Sequence, residues 1–180
     1  IIKALNAFTY VDDETGETYT VLEMDWLDGM DLEKFVKEKT PNGILPDSVK
    51  KICYQVIEGL QYAHDKHILH LDIKPNNLFR TRDGYIKIID FGISKIKDQI
   101  RTEYSPTVRC FGSSGYQSPE AKEKKENIDE RSDIYSLGAV MYYLFSNEEP
   151  KEDAQEFYRQ VSENKDISVE IQDLILKMIL

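Results

Sequence analysis

The chain has 180 residues, 41% of them apolar and 31% charged, with only 6 Pro and 9 Gly, a composition that excludes a collagen-like, low-complexity or wholly disordered polypeptide and fits about one domain. Against 33 Asp+Glu stand 23 Lys+Arg, a formal charge of −10 that argues against nonspecific binding to nucleic acid or anionic lipid. No apolar window is long enough to cross a membrane, the opening IIKALNAFTY lacks the marks of a signal peptide, and Cys53 and Cys110 are too few for a disulfide scaffold or thiolate cluster, so a cytosolic or nuclear address is expected.

Residues Leu5 to Val11 and Tyr19 to Met24 are rich in β-formers and flank DDETGE, which predicts a hairpin. DWLDGMDL reads as a connector. Leu32, Phe35 and Val36 mark a short helix from Met30 to about Lys39, stopped by Pro41-Asn42-Gly43. A longer helix follows, capped by Asp47 or Ser48. Its apolar set (Val49, Ile52, Cys53, Val56, Ile57, Leu60, Ala63) advances by three and four, a face wide enough for a helix covered on most sides.

The period then changes. HILHLDIKPNNLF is too irregular for a helix, and Leu78-Phe79 and YIKII read as two strands around an Asp83-Gly84 turn. Residues 93–119 show little periodicity and predict a long loop, a feature that usually carries function. The almost wholly apolar run from Asp133 to Phe145 predicts a helix buried on all sides, and two further helices span Asp153 to Asn164 and Ser168 to Leu180. The chain starts without methionine and stops within an amphipathic pattern, so it reads as a piece of something longer.

Three polar side chains with apolar neighbours carry the chemistry. Asp72 lies five residues before Asn77, and Asp90 ends the strand YIKII. If the two strands pair through the Asp83-Gly84 turn, Asn77 and Asp90 fall at the same end of the hairpin. One amide and one carboxylate oxygen suit a Mg²⁺ that keeps water and phosphate oxygens in its other positions. Asp72 then remains to orient a hydroxyl nucleophile, and Lys74 to offset charge on a transferred phosphoryl group. His70 reads as a partly buried ring satisfying a backbone carbonyl.

Taken in order, HLDIKPNN, DFG at 90–92, SPE at 118–120 and DIYSLG at 133–138 resemble the motifs of the eukaryotic-type protein kinases, and the likeness spans essentially the whole chain. It implies an α+β protein kinase-like fold. Residues 1–24 would be the end of the N-lobe sheet with the entry to the hinge, and 25–180 a mainly helical C-terminal lobe with a small β hairpin. It also implies ATP and Mg²⁺ as cofactors and a protein substrate offering a Ser/Thr hydroxyl. In that family's terms Asp72 is similar to the catalytic aspartate, Lys74 to the phosphate-contacting lysine, and Asn77 and Asp90 to the magnesium ligands. Leu22 would guard the back of the adenine pocket, Glu23 and Met24 would form the hinge, Asp31 would contact ribose, Phe79 would lie under adenine, and Asp133 would hold the catalytic-loop backbone.

Lys74, with Ser113 where such enzymes usually carry threonine, implies serine/threonine over tyrosine specificity. Leu71 stands where the family has an arginine that meets a loop phosphate, which implies less dependence on modification at Thr102, Ser105 or Thr107. The glycine-rich loop and its lysine and glutamate partners do not appear in these residues, so a polypeptide of 1–180 alone is expected to be inactive. Two rivals remain: a small-molecule phosphotransferase, which usually lacks the Lys-Pro pair, the DFG and the SPE, and a pseudokinase acting as a binding module. The resemblance places the acidic residues Glu148, Glu149, Glu152 and Asp153 near the groove where that family receives peptides, which hints at basic substrates, but they read first as a solvated charge run.

Overall fold

In the computed structural model, which describes residues 1–40, 44–91, 95–96, 114–123 and 128–180, the chain opens on an antiparallel hairpin of β1 (Ala4–Val11) and β2 (Thr18–Met24). Its turn is built by Asp12, whose carboxylate accepts from the Glu14 and Thr15 amides at 3.0 and 2.8 Å, and by Gly16 at φ +71°. Every residue of β1 is exposed. The ribbon is rooted by the Ile2 amide, which donates to the Ile88 carbonyl at 3.0 Å, and by Ile1, which packs on the core.

The stretch read as a connector contains a strand, β3 (Gly29–Asp31), at the edge of a three-stranded antiparallel sheet with β5 (Leu78–Thr81) and β6 (Ile86–Ile88). Three residues are too few to display a period, so the pairing Gly29↔Thr81, Met30↔Arg80, Asp31↔Phe79 is long-range information. Because Met30 belongs to that strand, α1 (Leu32–Lys39) starts two residues later than expected. Asp31 caps it, accepting from the Lys34 amide at 2.8 Å. The stop expected at Pro41 to Gly43 lies outside the described residues.

Helix α2 (Pro46–His64) departs from expectation at its start, since Leu45 is the N-cap and makes no side-chain bond. Pro46 takes the first helical position, where a missing N–H costs nothing, and Asp47 sits inside the first turn. Nor is the helix covered on most sides: Ile57 is 45% exposed and Tyr54 and Tyr62 are more so. At about 100° per residue Ile57 falls roughly 80° round from Val49, off the buried stripe.

A two-residue strand β4 (Ile68–Leu69) pairs with β7 (Lys95–Ile96), inside the stretch read as loop. A 3-10 turn at Pro75–Asn77 leads into β5, and the β5–β6 turn holds Gly84 at φ +93°. After a 3-10 turn at Ser114–Tyr116, α3 (Pro119–Lys122) is capped by the Ser118 hydroxyl.

The central helix is α4 (Glu130–Ser146), which begins three residues before the expected Asp133 because Asp129 caps it, its carboxylate accepting from the Arg131 amide at 2.9 Å. It is buried from Ser132 almost to its end and packs on α2, on α6 (Val169–Ile179) and on the Ser114–Tyr116 turn. A Cβ on Gly138 would lie 3.0 Å from Met178 and Ile179 side chains, so glycine sets how closely α4 and α6 approach. α5 (Ala154–Glu163) contributes the fully buried Phe157, edge-on to Tyr142 and Tyr135 with ring centroids 5.5 and 6.3 Å away. The α+β class and mainly helical body expected from the sequence are therefore present. Among the described residues no helix is long and apolar enough to cross a membrane.

Candidate active site

The site is assembled on the first turns of α4. Asp133 there is 0% exposed, and its carboxylate accepts from three donors: the His70 amide (2.9 Å) and His64 Nε2 (2.8 Å) at Oδ2, and the Leu71 amide (2.8 Å) at Oδ1. Leu71 has φ +64°, a left-handed conformation that costs an L-residue about 1–2 kcal/mol and persists because Asp133 fixes the His70 and Leu71 amides leading into the bend while His70 Nδ1 holds the Asp72 amide beyond it.

His70 is fully buried, and its two nitrogens do different work. Nε2 donates to the Ile89 carbonyl at 3.0 Å, as expected from the sequence, and Nδ1 accepts from the Asp72 amide at 3.2 Å. Those bonds fix the neutral tautomer, since a second proton on Nδ1 would face the Asp72 N–H. Burial pushes its pKa below the ordinary 6.5, against the Ile89 bond and the carboxylates of Asp133, Asp72 and Asp90. For a base whose folded pKa is depressed, the unfolded chain binds the extra proton first. Stability is therefore complete above the unfolded pKa and declines as pH falls below about 6.5. Imidazole nitrogen shifts measured by NMR should keep His70 neutral at pH 6.5; a titration midpoint above 6.5 would contradict the arrangement.

The bend delivers Asp72 beside Lys74 and Asn77. Asp72 is 7% exposed; Lys74 Nζ is 2.9 Å from its Oδ2, and the Asn77 amide nitrogen donates to Oδ2 at 2.7 Å and to the Asp72 carbonyl at 2.8 Å. An amide whose NH₂ is committed to Asp72 presents its oxygen on the opposite side, and a hard oxygen is what Mg²⁺ selects. The Ile89 amide donates to the Asn77 carbonyl at 3.0 Å, continuing the β5–β6 ladder by one rung. Asp90, next in the chain, thus leaves the hairpin at the end where Asn77 enters it. Its φ of +59° turns the chain there, a conformation aspartate adopts more readily than most residues. The Phe91 ring then meets His70 edge-on with centroids 4.6 Å apart.

The donor chemistry fits Mg²⁺. Among the described residues no group of three or more His, Cys, Asp or Glu side chains could hold a metal by itself, so a cation between Asn77 and Asp90 would take its remaining oxygens from water and phosphate.

The residues expected around a nucleotide divide between two sheets. Leu22, Glu23 and Met24 end β2 opposite Ala7, Asn6 and Ala4, and Leu22 and Met24 are 54% and 40% exposed. Asp31 and Phe79 are cross-strand neighbours in the other sheet, with one Asp31 oxygen engaged as the α1 cap. A Cβ on Gly29 would run into the Arg80 carbonyl oxygen and lie 2.8 Å from Thr81 Cα, so glycine lets β3 lie this close to the backbone of β5.

Sequence reasoning passed over His64, whose place in the last turn of α2 reads simply as a complement to the helix dipole. The acidic run is solvated as expected, with Glu148, Glu149, Glu152 and Asp153 all exposed, and three of them also bind locally: Glu148 accepts from the Tyr142 hydroxyl at 2.6 Å, Glu149 from the Tyr116 hydroxyl at 2.9 Å, and Asp153 caps α5. Glu120 accepts from the Ser132 hydroxyl at 2.6 Å; burial raises its pKa, but bonds from Ser132 and Ser118 outweigh that and leave it lowered. Gly92, Thr102, Ser105, Thr107, Cys110 and Ser113 lie outside the described residues.

A family model described as "Protein kinase domain" matches residues 1–179. A probable serine/threonine-protein kinase of Streptomyces coelicolor is 32% identical over 143 residues, 76% of this chain and 21% of the relative. The serine/threonine-protein kinase PknB of Mycolicibacterium smegmatis is also 32% identical, over 76% of this chain and 22% of its own. A probable serine/threonine-protein kinase PknB of Corynebacterium glutamicum is 34% identical over 156 residues, 84% of this chain and 24% of its own. The chain thus spans about a fifth to a quarter of the length of these relatives.

Proposed function

The chain belongs to the protein kinase domain family, and on that premise we propose that the protein carrying it transfers the γ-phosphoryl group of ATP to serine or threonine hydroxyls of protein substrates. The observation that carries the proposal is the triad in which half-buried Lys74 and the buried Asn77 amide both bind one oxygen of Asp72, with Asp90 at the adjoining hairpin end. Asp72, held from one side, accepts and orients the incoming hydroxyl. Lys74 places positive charge where charge accumulates on the phosphoryl oxygens. Asn77 and Asp90 hold Mg²⁺, which when bound neutralises phosphate oxygens and fixes their direction.

In the same proposal residues 1–24 close one wall of the nucleotide cleft and 25–180 the other. The Glu23 and Met24 backbone meets the adenine edge, Leu22 lies behind it, Phe79 beneath it, and Asp31 reaches the ribose. The naming of the relatives as serine/threonine-protein kinases supports a hydroxyl acceptor on Ser or Thr and does not favour the binding-module alternative.

The test is transfer of labelled phosphate from ATP by the full-length protein to a generic protein substrate, followed by phosphoamino-acid analysis. Label on serine and threonine is expected, with a loss of at least about 100-fold in Asp90→Ala. Equal incorporation by Asp90→Ala, or label on tyrosine alone, would overturn the proposal.

A further inference from the structure

Strand β6 carries Asp90 at its end, and part of its support comes from outside the hairpin. The Thr81 amide donates to the Tyr85 carbonyl at 2.8 Å and the Ile89 amide to the Asn77 carbonyl at 3.0 Å, so in the alternating ladder the backbone of Ile86 and Ile88 faces away from β5. Among the described residues β6 is an edge of its sheet, and other parts of the chain meet it there. The Ile2 amide donates to the Ile88 carbonyl at 3.0 Å, and the Ile86 amide donates to the side-chain oxygen of Gln55, on α2, also at 3.0 Å.

Ile86 is 6% exposed, so without Gln55 its N–H would be a buried donor with no acceptor. The carboxamide is itself oriented: Gln55 Nε2 donates to the Lys51 carbonyl at 3.3 Å, one turn back, which aims the oxygen at the strand. One turn on, a Cβ at Gly59 would come 2.8 Å from Ile88 Cδ1, so helix and strand lie against each other at that point. Four residues of helix advance about 6 Å and two residues of strand about 6.7 Å, so Gln55 and Gly59 keep step with Ile86 and Ile88. Burial of the two isoleucines decides which face of β6 turns inward. Apolar contact is non-directional, however, and leaves the position along the strand axis loose, whereas a hydrogen bond fixes it. Even a slide of about 1 Å is half the length of an Mg–O bond, about 2.1 Å.

We infer that Gln55 is a positioning residue for the metal-binding end of the hairpin: by supplying the ladder partner that β6 lacks on its outer side, it sets where Asp90 stands relative to Asn77. The inference rests on the proposed kinase reading, in which those two side chains hold Mg²⁺.

The experiment reads metal binding and local opening. Mn²⁺, a paramagnetic substitute for Mg²⁺, is titrated into the full-length protein in the presence of the imido analogue of ATP, and free Mn²⁺ is followed by electron paramagnetic resonance. Gln55→Met keeps the length of the side chain and removes the acceptor; it is expected to weaken Mn²⁺ binding about tenfold, the scale seen when a group that orients a metal ligand is lost. Gln55→Glu, whose carboxylate accepts from the same N–H, should bind within about threefold of wild type. Amide hydrogen exchange gives the second readout. Ile86 and Ile89 should exchange faster in Gln55→Met while the slowest amides of α4 keep their protection, a local pattern that a general loss of stability does not produce. Should Gln55→Met fail to fold, Gln55→Asn replaces it, since asparagine is one methylene too short to reach, and Gln55→Glu must then bind Mn²⁺ more tightly than Gln55→Asn. Binding in Gln55→Met within about twofold of wild type, no recovery in Gln55→Glu, or protection lost evenly across the protein would overturn the inference. Wild-type Mn²⁺ affinity in Asp90→Ala would sink the metal assignment of the kinase reading, whereas loss in Asp90→Ala with none in Gln55→Met would sink this inference alone.

Discussion

Asp133→Ala is expected to cost about 3–5 kcal/mol of folding stability and to abolish phosphate transfer with it. Its carboxylate is fully buried and answers the His70 amide, the Leu71 amide and His64 Nε2, so the truncation strands three donors at once. The amides leading into the left-handed bend at Leu71 then lose their anchor, and relaxation of that residue moves Asp72, the next in the chain, away from Lys74 and Asn77. Denaturant unfolding of the full-length protein, compared at unchanged m-value, measures the first part of the effect and a phosphotransfer assay the second. Asp133→Asn should fall between, because one oxygen is kept while the new NH₂ faces a donor. A loss under about 1 kcal/mol in the alanine variant would mean that α4 does not anchor the loop.

Asp72→Asn is expected to lower kcat by about 10²–10⁴-fold with the fold intact. The substitution is nearly isosteric, but Lys74 and Asn77 both donate to Asp72 Oδ2, and an amide satisfies them only by turning its oxygen toward them. The NH₂ group then faces the incoming hydroxyl and cannot take its proton. Affinity for the nucleotide should be retained, since Asp90 and the Asn77 oxygen are untouched, so the loss appears in kcat and not in KM for ATP. Activity within about threefold of wild type would remove Asp72 from the reaction.

Where chemistry is concentrated in a short stretch it could be read before the fold was known. Asp72, Lys74 and Asn77 lie within six residues, and the β5–β6 turn at Asp83-Gly84 carries Asp90 back to them. The apolar run of α4 announced a buried helix, and the placing of Asp133 at its lip followed from the family resemblance. What stayed hidden depends on distance along the chain. β3 and β7 are strands of three and two residues that exist only through remote partners, so no period marks them. Pro46 shifted the start of α2, because a residue without an N–H suits the first helical position better than Asp47 or Ser48 suits the cap. Tyr116 on a 3-10 turn, Tyr143 on α4 and Glu149 beyond it come together through a ring contact and a hydrogen bond that nothing in their separate stretches advertises.

The ring of His70 has a consequence for how this centre can change. One nitrogen steadies the backbone of Asp72, the other steadies Ile89 beside Asp90, and the ring edge seats Phe91 on the far side of that aspartate. The two acids are therefore gauged from a single imidazole, and their spacing is set by its width. A substitution that tilts the ring therefore disturbs both acids together.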